Sequence, residues 1–247
     1  MEAQNIAKGM KVEILTRDKK NITGIVDELG VKDNSQGKMV LLKSGEVGRV
    51  QKIVGEKPKT EIENLVKKGE SYKLELKGES LWSLNYTNQQ INESKSNDLH
   101  TYKHKASKVI LARSIAALLN SQGGNLIIGV KENREKGFEI VGINTDMEKL
   151  KALEKDSSTD GYKRMIIDDI IRPYFPFKIY NSLNEYIQFS FEEINGKTVC
   201  NIKIQPTRNK IFLNLEGRKI FMIRTETETR QIVDEELVDY CMRRFLS

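Results

Sequence analysis

The chain has 247 residues, of which 38% are hydrophobic and 31% are charged, and its formal net charge is +6. This length can bury one sizeable core and a smaller second one. No apolar run reaches the ~18 residues of a membrane-spanning helix, and the N-terminus lacks the pattern of a secretory signal, so we expect no membrane partner. The only two cysteines, Cys200 and Cys241, favour a reducing, cytoplasmic location over a disulfide scaffold.

Residues 1–57 are predicted to form a small all-β module. Alternating apolar runs begin at Met10, Ile22, Lys38 and Val47. Glycines punctuate these runs where tight turns are needed, and we expect a five-stranded mini-barrel. Residues 1–60 hold 12 Lys or Arg and 8 Asp or Glu, so this region has a net charge of +4 and is where phosphate contacts are expected first. The runs from Gly9 and from Ser44 resemble the YwbE-like family of small barrel-like proteins. That resemblance leaves two roles open, nucleic-acid binding and docking of a protein partner.

A candidate metal site follows a polar linker and a short helix predicted over 61–68. Glu70 and Glu75 lie five residues apart, and Lys77 follows in the same run. If 74–77 is a strand, alternation puts the side chains of Glu75 and Lys77 on one face. Carboxylates beside a lysine suit Mg²⁺ or Mn²⁺ and attack on a phosphodiester. The alternative interpretation is that these are ordinary solvated charges at a strand edge.

Residues 79–105 are predicted to be a long polar insertion, rich in Ser, Asn and Gln. A loop of this length is uncommon unless it is mobile or functional. Two interpretations remain for its aromatic residues Trp82 and Tyr86. They could stack on an unpaired base, or they could anchor the insertion against the core.

The next elements give the chain an α+β pattern. A helix is predicted from Lys105 to Ser121, with one apolar face, and it ends at two glycines, Gly123 and Gly124. A buried strand over 125–130 then pairs with a strand over 138–143 across a turn that holds Glu132. Further helices are predicted over 146–155, 162–172 and 234–245, and further strands near Ile179 and over 186–192, 198–204 and 219–225.

The block Asn120-Ser-Gln-Gly-Gly124, followed by Ile127-Ile-Gly-Val130, resembles the Schlafen-type AlbA domain. The resemblance covers residues 64–247, with 79–105 as an insertion, and implies a mixed sheet with packed helices. It also implies nucleic-acid binding, and some members are endoribonucleases that cut structured RNA such as tRNA. In those members three carboxylates bind the metal, and the matching positions are Glu70, Glu75 and Glu132. The family usually has Asp where Glu132 stands.

Our leading hypothesis is therefore a metal-dependent endoribonuclease that acts as a homodimer on RNA, or on DNA. Glu70, Glu75 and Glu132 would hold Mg²⁺ or Mn²⁺, and Lys77 would orient or deprotonate the attacking water or stabilise the oxyanion. A set of basic residues is predicted to follow the phosphate backbone, namely Lys73, Lys108, Arg113, Lys131, Arg134, Arg218 and Arg224.

The main alternative is a non-catalytic DNA- or RNA-binding regulatory module. A nucleotide hydrolase is disfavoured, because the run Gly196-Lys-Thr198 has Phe191 where a phosphate-binding loop needs its first glycine.

Overall fold

The computed structural model describes residues 6–34, 37–55, 60–133 and 137–246. The chain divides into two compact units, Met1–Glu61 and Ile62–Ser247. Together they form the mixed α+β fold with an N-terminal barrel that the sequence predicts. In the described ranges, no helix has the length and apolar character needed to cross a bilayer.

The first unit is a closed barrel of four strands, β1 to β4, in sequence order. These are Lys11–Thr16, Asn21–Asn34, Gly37–Leu42 and Val47–Ile53. Strand β4 pairs back with β1, so the barrel has no free edge. Its core contains Val12, Ile14, Val26, Val40 and Leu42.

The predicted count of five strands is wrong for the described part of this unit. The barrel has four strands, because one long strand, β2, takes the place of two shorter ones. Strand β2 is 14 residues long. Its first part pairs with β1, and its second part, from Val26 onwards, pairs with β3, with register shifts between Val26 and Glu28 and between Leu29 and Asp33. Such irregularities bend a strand and increase its twist, which lets one strand turn the corner of a small barrel.

The second unit is built on a four-stranded sheet in the order β5-β6-β10-β9. These strands are Leu74–Lys77 (β5), Gly124–Ile128 (β6), Ile187–Ile194 (β9) and Lys197–Ile204 (β10). Strand β5 runs parallel to β6, and the other pairs are antiparallel. The β9–β10 turn is Asn195-Gly196, and both residues have positive φ, as a two-residue hairpin turn with the right twist requires.

Two smaller sheets complete this unit. One is the hairpin β7–β8, formed by Val130–Asn133 and Gly137–Ile140. The other contains Phe212–Leu215 (β11), Arg218–Arg224 (β12) and Thr229–Gln231 (β13). The helices are Glu61–Lys68 (α1), Asn88–Glu93 (α2), Asn97–Tyr102 (α3), Ala106–Asn120 (α4), Asn144–Ala152 (α5), Thr159–Ile166 (α6), Arg172–Tyr174 (α7), Phe177–Asn181 (α8), Leu183–Tyr186 (α9) and Asp234–Phe245 (α10).

Helix α4 is the central helix of the second unit. We expected one apolar face, but most of its residues are buried. The reason is that α4 packs in one core with residues of the main sheet and of β11 and β12. A helix covered on several sides needs apolar residues around most of its circumference.

The insertion at 79–105 is folded, so the expectation of a long loop is wrong. It contains α2, α3 and two 3₁₀ turns, Trp82–Asn85 and Lys103–Lys105. Ile91, Leu99 and Ala106 form a small core, and Trp82 packs against it. Of the two interpretations for Trp82, the structure supports anchoring.

Two other predicted elements are corrected. Ile179 lies in helix α8 and not in a strand. The buried strand predicted to run through Val130 ends at Ile128, because Gly129 has φ of +103° and breaks it. Val130 then starts the separate hairpin, which matters for the placement of Glu132.

Candidate functional site

Glu75 lies in the middle of β5, and its carboxylate is the centre of a buried cluster of charges. Its side chain is only 4% exposed. One oxygen, Oε1, is 2.6 Å from Lys77 Nζ and accepts a hydrogen bond of 3.2 Å from Ser114 Oγ of α4. The other oxygen, Oε2, forms an ion pair with Arg224 Nη1. As predicted, Glu75 and Lys77 share one face of the strand, and that face points towards α4.

Arg224, at the end of β12, is held in place by the backbone near β5. Its side chain is 1% exposed. Nε donates to the carbonyl of Ser71 at 3.0 Å, and Nη2 donates to the carbonyl of Leu74 at 3.1 Å. Its backbone N–H donates to Ser121 Oγ at 2.9 Å. The guanidinium is therefore fixed on both sides and cannot swing out to a ligand without breaking these bonds.

Glu70 lies in the same cleft but is more exposed. Its Oε1 accepts a hydrogen bond from the backbone N–H of Leu76 at 3.1 Å, and its Oε2 is 3.7 Å from Arg224 Nη2. The cleft has a volume of about 310 Å³ and is also lined by Lys77, Asp98 and Arg113. Glu70 and Glu75 therefore lie close together, as the sequence hypothesis required. The cation between them is the guanidinium of Arg224, where that hypothesis placed a metal ion.

Glu132 does not join them. It is an exposed residue of the β7–β8 hairpin, where it lies opposite Phe138. Val130, two residues earlier in the strand, packs with Leu74 and Leu76, which point away from the face that carries Glu75. Since residues two apart in a strand share a face, Glu132 lies on the Leu76 side of the sheet. The break at Gly129 moves it there, because an uninterrupted strand would put residues 128, 130 and 132 on the α4 side.

The three-carboxylate metal site predicted from Glu70, Glu75 and Glu132 therefore does not fit the arrangement of these residues. Within the described ranges, no group of three or more His, Cys, Asp or Glu side chains is placed to hold a metal ion. Both oxygens of Glu75 already face cations, and a fixed guanidinium at the centre of the cleft repels a second cation.

The basic residues predicted to contact phosphates divide into two groups. Lys108 pairs with Asp169 at 2.9 Å, Arg113 pairs with Asp98 at 2.8 Å, and Arg224 is buried. The phosphate contact predicted for Arg224 is corrected by its burial. Lys73, Lys131 and Arg218 are exposed. Arg134 lies outside the described residues.

Asn120 is the first residue of the Asn-Ser-Gln-Gly-Gly block, and the sequence analysis gave it no role. Its side-chain nitrogen donates to the carbonyls of Ile211 and Met222, and its oxygen accepts from the N–H of Ile211 at 2.9 Å. One amide thus joins α4 to β12 and to Ile211, the residue directly before β11. A polar residue at the end of an apolar helix run was the available signal.

Asp146 was also missed. It is fully buried and accepts hydrogen bonds from the backbone N–H groups of Ser80 and Leu81, from Ser80 Oγ and from Tyr162 Oη. Burial, followed by the nearby charge of Asp146, raises the pKa of Tyr162 well above its ordinary value. This network fixes the start of the insertion to α5.

The family model described as Schlafen, AlbA_2 matches residues 70–233, which is about two thirds of the chain. The chain belongs to the Schlafen AlbA_2 family. Its larger unit is therefore a domain of a nucleic-acid-binding type, and the resemblance inferred from Asn120–Gly124 and Ile127–Val130 is confirmed.

Two other comparisons add little to the family assignment. No curated protein matches the chain. Among solved structures, the chain is similar to the DIP2311 protein from Corynebacterium diphtheriae, with 17% sequence identity and a TM-score of 0.38. The match covers 79% of this chain and 30% of that protein.

Proposed function

We propose that this chain binds nucleic acid through its AlbA_2 domain and that RNA is its partner. The observation that carries the proposal is that the family match includes the whole Glu70–Glu75–Lys77–Arg224 cleft. Two lysines stand beside it: Lys77, paired with Glu75, is 29% exposed, and Lys73, just before β5, is exposed. Phosphate oxygens are the natural partners of such cations.

The test is fluorescence anisotropy of a labelled RNA hairpin with a single-stranded tail, measured against duplex DNA over a range of salt concentrations. We expect the dissociation constant to rise steeply with salt, because bound phosphates release counterions. Lys73→Glu should weaken binding, and Arg164→Glu, an exposed arginine on α6, is the matched control. Absence of binding at low salt to every RNA and DNA tested would overturn the proposal.

A second candidate is the metal-dependent endoribonuclease acting on structured RNA such as tRNA. The observation in its favour is that Glu70, Glu75 and Lys77 line one cleft. The observation against it is that Glu132 lies on the opposite face from Glu75, so the third carboxylate does not reach the cleft. In the sequence hypothesis Mg²⁺ or Mn²⁺ would activate water, and Lys77 would act on the same water.

Cleavage of tRNA with added Mn²⁺ tests this candidate. Glu70→Gln is the informative variant, because Glu70 is exposed and its loss should leave the fold intact. If cleavage occurs and both Glu70→Gln and Glu132→Gln abolish it while RNA affinity is kept, the three-acid mechanism is supported. If RNA is bound and never cut, the non-catalytic module is the correct description.

We also propose a homodimer, a protein partner for the barrel and a cytoplasmic location. We expect a homodimer to form through α10, where Val238 and Met242 are exposed and, with Leu246 directly after the helix, form a row of apolar residues spaced four apart. A protein partner for the barrel would suit its exposed apolar side chains, among them Leu15, Ile25 and Val47. A cytoplasmic location would suit Cys200 and Cys241, which are both free and buried.

A further inference from the structure

A second cleft lies on the other side of Arg224, with a volume of about 520 Å³. Its walls come from the Tyr72 segment, from the Ser121-Gln122 turn and from the C-terminal part of α10. The lining residues are Tyr72, Ser121, Gln122, Arg224, Glu226, Tyr240, Arg243 and Arg244. Because Arg224 lines both clefts, this one is a neighbour of the cleft of Glu70 and Glu75.

The walls are held by hydrogen bonds that leave little freedom. Arg244 donates from Nε and Nη2 to the carbonyl of Ser121 at 3.0 and 2.8 Å. Tyr240 Oη donates to the carbonyl of Asn120 at 3.1 Å. Gly124 has φ of +139°, and a Cβ there would lie 2.1 Å from the carbonyl oxygen of Lys73, so only glycine permits this approach. The turn is therefore fixed to the chain beside Tyr72 and to α10.

Two groups that recognise ligands remain open in this fixed frame. The ring of Tyr72 is 39% exposed, with Lys73 Nζ 5.6 Å from its centroid. The side-chain amide of Gln122 is exposed, and among the described residues it has no hydrogen-bond partner. An aromatic face and an amide are suited to a nucleobase, which offers a flat surface and hydrogen-bonding edges.

The charge of the cleft selects an anionic ligand. Arg243 and Arg244 lie on α10, and among the described residues that line the cleft Glu226 is the one carboxylate. In the described part of the chain, the guanidinium of Arg244 donates hydrogen bonds to carbonyl oxygens and lies over the ring of Phe245, and no carboxylate there pairs with its charge. The alternative role of the two arginines is to stabilise the C-terminus of α10 through the helix dipole. That role does not explain why the exposed ring of Tyr72 lies in the same cleft.

We infer that the cleft between Tyr72, Gln122 and Arg243 is a subsite for an unpaired nucleotide of the bound nucleic acid. The base stacks on Tyr72, and its phosphates lie towards Arg243 and Arg244. A duplex keeps its base faces stacked internally and presents only edges, so this site selects single-stranded segments. The inference rests on the proposed function. It adds that single-stranded segments are the preferred ligand and that the cleft beside Tyr72 binds one of their nucleotides.

The test uses the full chain and two labelled oligonucleotides, a single strand and a blunt duplex of the same sequence. Tyr72→Ala should weaken single-strand binding roughly 10- to 100-fold, the range expected for one stacked base, and leave duplex binding nearly unchanged. Tyr72→Phe keeps the ring and should retain wild-type affinity. The control is Phe177→Ala, which removes an aromatic side chain that is 74% exposed on α8.

Arg243→Glu gives a second, independent readout. It should weaken single-strand binding and lower its salt dependence, whereas Arg164→Glu should change neither. If Tyr72→Ala and Phe177→Ala bind the single strand equally well, the inference is wrong while nucleic-acid binding stands. If the wild-type chain binds neither oligonucleotide, the proposed function itself is wrong.

Discussion

Glu75 and Asp146 are the two carboxylates that are buried among the described residues, and they are neutralised in different ways. Glu75 faces two cations, Lys77 and Arg224, at the wall of an open cleft. Asp146 is enclosed and mainly faces neutral N–H and O–H donors, with Lys149 Nζ at 3.7 Å. A carboxylate satisfied by neutral donors needs no solvent or ligand, so Asp146 serves the fold. The charged cluster of Glu75 lies where a ligand can reach it.

Among the variants that test this comparison, Arg224→Met should cause the largest loss of stability. The substitution leaves Glu75 buried without its main cation and removes the donors to two backbone carbonyls. We expect a loss of about 3–5 kcal/mol in the unfolding free energy of the larger unit, measured by urea denaturation. The double variant with Glu75→Gln should regain part of this loss. A loss under about 1 kcal/mol in the single variant would show that the ion pair is not intact in solution.

Asp146→Ala should have the next largest effect, a loss of about 2–4 kcal/mol in unfolding free energy, because it leaves buried donors of Ser80, Leu81 and Tyr162 unsatisfied. The same denaturation experiment measures it. Asp146→Asn sharpens the comparison, since it keeps the shape and one acceptor oxygen but removes the charge. It should also bring the pKa of Tyr162 closer to its ordinary value, because the charge of Asp146 is, after burial, the second cause of the rise. An Asp146→Ala variant as stable as the wild type contradicts the network described above.

Asn120→Ala tests a neutral network without any carboxylate. It removes three hydrogen bonds that join α4 to β12 and to Ile211 just before β11, and we expect a loss of about 1–3 kcal/mol in unfolding free energy. Ser114→Ala, on the same helix, removes a single bond to Glu75 and is the matched control with a smaller expected loss. Equal losses for the two variants would mean that the amide of Asn120 does not hold the small sheet.

The smallest effect is expected at Asp169, a partly exposed carboxylate that faces two lysines. Burial raises its pKa, but hydrogen bonds and charge from Lys108 and Lys155 outweigh burial and lower it. The folded form therefore binds its proton less tightly than the unfolded chain does. Its stabilisation is complete above the ordinary carboxyl pKa of about 4 and disappears as the pH falls through the lower folded value.

Lys108→Met checks this contribution through the pH dependence of unfolding. At neutral pH we expect a loss of about 0.3–1 kcal/mol in unfolding free energy, and the variant and the wild type should converge as the pH falls below the ordinary carboxyl pKa. A constant difference across this range would mean that Lys108 contributes through packing and not through its charge.

Much of the fold could be predicted from local patterns. The α4 helix, its glycine stop, the terminal helix and the strand that carries Glu75 and Lys77 all follow from periodicity and capping. The pairing of Glu70 with Glu75 in one cleft also followed from their spacing. These features depend on residues close together in the chain.

The features that escaped prediction depend on single backbone positions or on distant contacts. The positive φ of Gly129 changes the face on which Glu132 lies, and the local pattern of apolar residues continues through Gly129 without a sign of this break. The burial of Arg224 depends on carbonyls about 150 residues earlier in the chain. The fold of the insertion depends on a small core in which a few apolar side chains are scattered among polar ones.

Photo-crosslinking of the full chain to a single-stranded RNA that carries 4-thiouridine, followed by mass spectrometry of the peptides, tests the central claim most directly. The account predicts crosslinks to peptides that contain Tyr72 or Gln122, and their loss when unlabelled single strand is added in excess. Efficient crosslinks found only outside the larger unit, with none on either side of Arg224, would contradict it.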